Sequence, residues 1–411
     1  MDNKSVNMGM RSFIITLVFT FFIGAALSVG AMTLIFSKQT APSTIKASDG
    51  DSDNEEYAIL DEIYDTYSEY YIEDINKADL IDDAAKGMVY GTGDVYGAYF
   101  TPEEYMEFVT AENGEYVGIG VLVNIGENNR ISVAQVYEGS PAEKAGIIPG
   151  DVLVGVDGKD TTGVDSEKVI SMVVGEEGTE VTVTFERNGE YLDFTMTRTK
   201  ITADQAEWFM VEDGIGYIKI YGFSGNASEL FHRALKELEE AGAEGYILDL
   251  RNNPGGSKDI AVEIGDTLFP KGDIITLIDN EGNERVDRSD ARYLNKPLVV
   301  LINGGSASAS ELLSGGIQDY GVGILVGETT FGKGVAQGFY YLDDGSVLRI
   351  TSSYYETAGG RCPQDVGITP DYEVILDEEV QNNPALLTTE ADNQMQKALE
   401  ILREEMAKQG E

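Results

Sequence analysis

The chain is poor in the residues that most often carry chemistry. Its 411 residues include one cysteine, Cys362, and one histidine, His232. A single thiol forms no disulfide within the chain. It fits a reducing cytosol, or an extracytoplasmic space in a lineage that avoids cysteine. Cys362 reads as a packed or incidental thiol rather than a nucleophile. With one imidazole, a Ser-His-Asp triad would depend on His232. That residue stands in "ELFHRALKEL", whose helical periodicity marks it as a surface position. Positive charge is scarce as well. Lys and Arg number 29 against 72 Asp and Glu, a formal net charge of -43. Such a chain repels nucleic acid, which excludes a DNA or RNA partner, and its acidity reads as a solvated surface.

One long uncharged apolar run is present, "FIITLVFTFFIGAALSVGAMTLIF" at residues 13–36. It is long enough to cross a bilayer. Lys4 and Arg11 precede it, so residues 1–12 stay cytoplasmic and the remainder is exported. The run is longer than the core of a signal peptide, and no clean A-x-A site follows it. The expectation is an uncleaved, single-pass anchor in the cell membrane, with a cleaved and secreted form as the competing reading. Residues 37–54 are polar, small and finally acidic, as in a flexible linker.

The exported part reads as a multidomain α+β protein. Residues 55–112 form a small helical module, with apolar residues at helical spacing such as Ile59, Ile63 and Tyr67 and a tyrosine-rich packing face. Residues 113–200 change character, to short strands parted by Gly, Asn and Asp turns, with short helices at "SPAEKAG" and "DSEKVISMVVG". This predicts a β-barrel-like or sandwich module. Residues 201–375 alternate strands and helices, which implies a largely parallel or mixed sheet with its site at the carboxyl ends of the strands. Residues 376–411 end in an amphipathic helix that is expected to pack on a partner or on the helical module.

Three loops follow strands of the α/β region: "LRNNPGG", "INGGSASASE" and "GETTFGKGVAQ". The last nearly fits a phosphate-binding loop, but Gly334 stands where a Ser or Thr would reach magnesium. In the second, a serine near a helix N-terminus is poised as a nucleophile beside N–H groups that stabilise an oxyanion. Ser308 and Glu311 also have the spacing of a capping box, so the residues alone leave both readings open. A serine nucleophile needs a base, and in a chain with one unpromising histidine that base can be a lysine whose ammonium form is disfavoured by burial. Lys333 fits this role, with Phe331 and Val335 as apolar cover. The S-x-x-K pair is absent, so Ser308 and Lys333 must meet through the fold, and the G-x-S-x-G elbow is missing at Ser308, which disfavours an acyl hydrolase of the lipase type.

Two resemblances gather these residues. "GSPAEKAGIIPGDVLVGVDG", Gly139 to Gly158, resembles a PDZ domain. It implies a peptide-binding groove in which Val117, Gly118, Ile119 and Gly120 hold a terminal carboxylate. "NGGSASASE" and "VGETTFGKGVAQ", with "LDLRNNPGG" upstream and a PDZ domain before them, resemble the carboxy-terminal processing proteases. That resemblance runs from about Tyr57 to the C-terminus. It implies an α/β Ser-Lys protease core with Ser308 as nucleophile, Lys333 as general base and Gln337 as the residue that orients the lysine. The N–H groups of Ala309 and of Gly255, chosen over Gly256, are the implied oxyanion donors. The implied partners are proteins or peptides with free C-termini, and neither a cofactor nor a metal is implied. Helical ends beside a PDZ domain suit a homodimer. The rival reading is a PDZ scaffold with an inactive α/β part, against which the intact Ser308, Lys333 and Gln337 stand. In place of the family's L-D-P-x-S-x-Y element the chain has "GTGDVYGAYF", and Cys362 stands where an apolar residue is often found.

Overall fold

The computed structural model describes residues 57–409 except 127–128, 291–293 and 384–385. The apolar run at 13–36 and the linker at 37–54 lie outside the described residues. Among the described residues no helix is long and apolar enough to cross a membrane. The chain divides into two compact units.

The smaller unit holds the described residues up to Met106 together with Ala336–Ser353. It begins with helices Ala58–Tyr70 and Lys77–Gly91, the second capped by the Asn76 side chain. It is not helical throughout. Strand Ala98–Phe100 pairs antiparallel with Val347–Arg349 of a strand that runs far later in the chain. The packing role expected of the early tyrosines is not what the fold uses. Helix Ala58–Tyr70 buries none of its residues, and Tyr70 is 73 % exposed. Its apolar stripe is regular, but nothing described in this unit covers it. The tyrosines that pack are Tyr99, which is buried, and Tyr105, whose ring meets Tyr341 edge-on at 5.6 Å while the two hydroxyls lie 2.8 Å apart.

The larger unit contains two sheets of six strands. In the first, strands Val121–Ile125, Ile131–Val136, Val152–Val156, Glu180–Arg187 and Glu190–Thr197 follow one another antiparallel, and Lys159–Asp160 pairs off this path. Alternate residues Val181, Val183 and Phe185 enter the core with Ile131, Val133 and Val169, as a strand with one buried face requires. Helix Pro141–Ala145 is capped by Ser140, and helix Ser166–Val173 is the second of the pair. The Gly-Asp turn works through its acid. Gly150 has φ +94, and buried Asp151 accepts the Ile148 N–H and a two-pronged bond from Arg187.

The second sheet runs Ala206–Glu212, Ile215–Ile220, Gly245–Asp249, Leu298–Ile302, Ile324–Gly327 and Tyr372–Glu373. All pairings but the first are parallel. Every residue of Gly245–Asp249 and of Leu298–Ile302 is buried, because helices cover both faces. On one face lie helices Ala227–Glu240, Lys258–Leu268 and Ala309–Tyr320. On the other, the C-terminal helix Asn393–Gln409 buries Met395, Ala398, Leu399 and Leu402 against Ile215, Ile247, Val299, Leu301 and Val326. The tail is therefore a layer of the α/β core, not a docking arm. Its apolar residues recur every three to four positions, and the sheet supplies the apolar face that this stripe must meet.

Candidate active site

Strand Leu298–Ile302 leads into the loop that carries the three serines, and helix Ala309–Tyr320 leaves it. The serines have different tasks. Ser306 and Ser310 are fully buried, and their hydroxyls donate to the carbonyls of Leu250 and Asn253 at 2.7 and 2.9 Å. They fasten this loop to the neighbouring "LRNNPGG" loop. Ser308, between them, is only partly buried and has φ 55 and ψ -111. That backbone is disfavoured for any residue with a Cβ and costs on the order of 1–3 kcal/mol. It turns the central serine out of the helix line at the helix N-terminus.

Glu311 holds the arrangement together. Its side chain is fully buried, and its carboxylate accepts the Ser308 N–H at 2.7 Å, the Thr330 hydroxyl at 2.7 Å, the Gly332 N–H at 2.6 Å and the Lys333 N–H at 2.8 Å. The Ser308 and Lys333 amides share one oxygen, Oε2. The nucleophile loop and the lysine loop are thus joined across a single atom. Charge-assisted bonds from four donors compensate the burial of the anion. The Ser308–Glu311 spacing announced the first of these bonds, but not the three that come from residues 19 to 22 positions further on.

The same geometry answers the near-match to a phosphate loop. The N–H groups of Gly332 and Lys333 are spent on Glu311, and that of Gly334 is spent on Gln364 Oε1 at 2.9 Å. No cradle is left for a phosphate. Val335 is buried as expected of apolar cover, whereas Phe331 is 58 % exposed and gives none by its own burial. Lys333 itself is half-buried. Tyr355 closes another side. Its hydroxyl donates to the Ser308 carbonyl at 2.9 Å, and its N–H donates to the Gly334 carbonyl at 3.0 Å. Burial pushes the Tyr355 phenol well above its usual range, so it stays a donor.

Gly255 lies directly against the serine. A Cβ there would come within 2.8 Å of Ser308 Cβ and 3.0 Å of the Ala309 nitrogen. Only glycine fits. Its N–H, the expected oxyanion donor, is already given to Asn253 Oδ1 at 2.9 Å. Ala309, first in its helix, has an N–H outside the intrahelical ladder. Beneath the loop, buried Arg251 forks onto Asp249 and reaches Asp392 and Gln394 at the start of the C-terminal helix. Burial alone would raise the Asp249 pKa, but the adjacent guanidinium holds it below the usual carboxylate range.

Of the remaining expected residues, His232 is exposed, with its ring nitrogens at 2.7 Å from the Ser228 carbonyl and the Thr267 hydroxyl. It is a surface residue. Gln337 belongs to the smaller unit, where its amide donates to Thr351. In the PDZ-like part, Gly118 ends its strand and Ile119 and Gly120 follow it. Their carbonyls accept from Ala142 and Tyr137, and among the described residues no acceptor takes the Ile119 or Gly120 N–H. Gly120 has φ +83, and a Cβ on it would collide with Ser140. Among the described residues the adjacent strand Val121–Ile125 is a sheet edge, paired on one side only.

Comparison with known proteins finds matches to both parts of the larger unit. Residues 214–374 match Peptidase family S41, and residues 132–187 match the PDZ domain. The chain is 37 % identical over 309 residues to a carboxyl-terminal-processing protease of Synechocystis sp., spanning 73 % of this chain and 72 % of that protein. It is 33 % identical over 355 residues to the carboxy-terminal processing protease CtpA of Bacillus subtilis, spanning 85 % and 75 %. The solved structure of a Bacteroides fragilis protein assigned to the S41 proteases is 19 % identical. It aligns with a TM-score of 0.51 over 70 % of this chain and 83 % of that one, and shows the fold alone. With its PDZ domain and its α/β core, the chain belongs to the carboxyl-terminal-processing serine proteases of peptidase family S41.

Proposed function

We propose that the protein is a membrane-anchored endopeptidase that acts outside the cytoplasm through a Ser308–Lys333 dyad. The observation that carries the dyad is the shared Glu311 oxygen, which brings the Ser308 and Lys333 backbones together. In this reading Ser308 Oγ attacks the peptide carbonyl, and neutral Lys333 takes its proton. Gln337 orients the lysine. The Ala309 N–H stabilises the oxyanion, joined by the Gly255 N–H once it shares or leaves its bond to Asn253. Lys333 then returns the proton to the leaving amine, and water hydrolyses the acyl-enzyme by the reverse transfers.

Substrates are proteins with free C-termini. The uncommitted Ile119 and Gly120 N–H groups would hold the terminal carboxylate, and the peptide would add to the open edge at Val121–Ile125. The anchor rests on the apolar run at residues 13–36 and on the cations before it. The uncovered helix Ala58–Tyr70 is where a second copy would pair in a homodimer.

The test is cleavage of unfolded β-casein by the detergent-extracted full chain. Ser308→Ala and Lys333→Ala are each expected to lower kcat by at least about a thousandfold. Cleavage that survives Lys333→Ala near neutral pH would remove Lys333 as the base.

A further inference from the structure

The segment "GTGDVYGAYF" departs from the family's pattern, yet one of its residues is tied through Thr351 to Gln337. Asp94 accepts the Thr351 hydroxyl on Oδ1 and the Thr351 N–H on Oδ2, both at 2.8 Å, and the Tyr96 N–H at 3.1 Å. Thr351 Oγ1 in turn accepts from Gln337 Nε2 at 3.3 Å. All of these residues lie within the smaller unit.

The order of donors in this chain follows from chemistry. An ionised carboxylate only accepts. The one hydroxyl proton of Thr351 therefore points at Asp94, and its lone pairs face Gln337. Gln337 must meet them with its NH₂ group, and its carbonyl oxygen is carried on the other branch of the amide. A lysine acting as base needs that oxygen. Its lone pair has to face the serine hydroxyl, so its N–H groups must be held by acceptors, and an amide presented the other way round would offer it only donors. Burial works against the charge of Asp94, but the bonds from Thr351 and Tyr96 outweigh it and hold its pKa below the usual carboxylate range. Asp94 is thus a fixed acceptor at neutral pH.

We propose that Asp94 and Thr351 are positioning residues that set the polarity of the Gln337 amide, so that Gln337 offers Lys333 an acceptor. The proposal rests on the reading that Gln337 orients Lys333. It assigns to a residue 243 positions earlier in the chain a part in preparing the base.

Steady-state β-casein cleavage by the full chain tests it. Thr351→Val keeps the shape and removes the hydroxyl, and it is expected to lower kcat about tenfold with KM within about twofold. Thr351→Ser restores the hydroxyl and should recover most of the rate. Asp94→Asn can donate to Thr351, reverses the relay, and should fall with Thr351→Val. In the Gln337→Ala background, Thr351→Val should add nothing, because the two act in one chain. If Gln337→Ala lowers kcat while Thr351→Val does not, or if Thr351→Ser is as impaired as Thr351→Val, the relay is overturned and the role of Gln337 stands. Wild-type kcat in Gln337→Ala would remove that role, and the relay with it.

Discussion

Two glycine-rich loops in this chain are alike in composition and opposite in state. "YVGIG" in the PDZ domain ends a strand and "TTFGKG" in the protease core follows one, and each presents backbone N–H groups that could hold an anion. In the core the anion is internal. The Glu311 carboxylate fills the loop and takes the Gly332 and Lys333 N–H groups. In the PDZ domain the Ile119 and Gly120 N–H groups have no acceptor among the described residues, and the strand beside them has an open edge. A loop that carries its own anion is a fixed part. A loop without one fits the receptor role proposed for it. Glycine spacing does not tell the two apart, whereas the fate of the N–H groups does.

The largest expected effect comes from emptying the filled loop. Glu311→Ala would leave three N–H groups and the Thr330 hydroxyl buried without an acceptor. Losing charge-assisted bonds of this kind costs about 3 kcal/mol or more. With the nucleophile and lysine loops untied, kcat should fall at least about a hundredfold, as read by β-casein cleavage beside urea unfolding. Near-normal kcat would show that Glu311 caps its helix and does nothing more.

A smaller effect follows from blocking the open loop. Gly120→Ala places a Cβ against Ser140 at a φ that suits glycine, which costs on the order of 1–3 kcal/mol locally. Binding of a fluorescent peptide with a free C-terminus should weaken about tenfold. The rate on a small activated ester that needs no PDZ contact should stay within about twofold. Equal losses in both would mean that the substitution disrupts the fold and not the receptor.

The smallest effect concerns a buried anion matched by a cation instead of by N–H groups. Asp249 sits against Arg251 with its pKa depressed. Its contribution to stability is complete above the unfolded carboxylate value of about 3.9 and fades as pH falls through the lower folded value. The urea midpoint of the wild type should therefore drop on acidification below about pH 4. In Asp249→Asn, part of that drop should be missing.

What the sequence discloses and what it conceals divide along the distance between interacting residues. Strand Leu298–Ile302 is a continuous apolar run, and Gly245–Asp249 is one up to its final Asp249, because both of their faces are buried, and such runs are read directly. The loops after them and the paired serines are local too. The three further bonds of Glu311 come from a loop beyond the next strand, and no periodicity encodes them. The same holds for the hairpin of Gly272–Asp279 and Glu284–Ser289, whose strands lack a clear alternation of apolar and polar residues. It holds for the C-terminal helix, whose stripe was legible but whose partner sheet was not. The structural tasks of Ser306 and Ser310 were hidden by their likeness to Ser308. Three serines of one motif differ in burial and backbone angle, which only the fold assigns.

The central claim is that Ser308 alone among these serines is the nucleophile and that Lys333 prepares it. A fluorophosphonate probe on the full chain, with the modified peptide located by mass spectrometry, tests this most directly. The account predicts label on Ser308, none on Ser306 or Ser310, and labelling in Lys333→Ala slowed at least about a hundredfold. Label on a flanking serine, or labelling at the wild-type rate in Lys333→Ala, would contradict it.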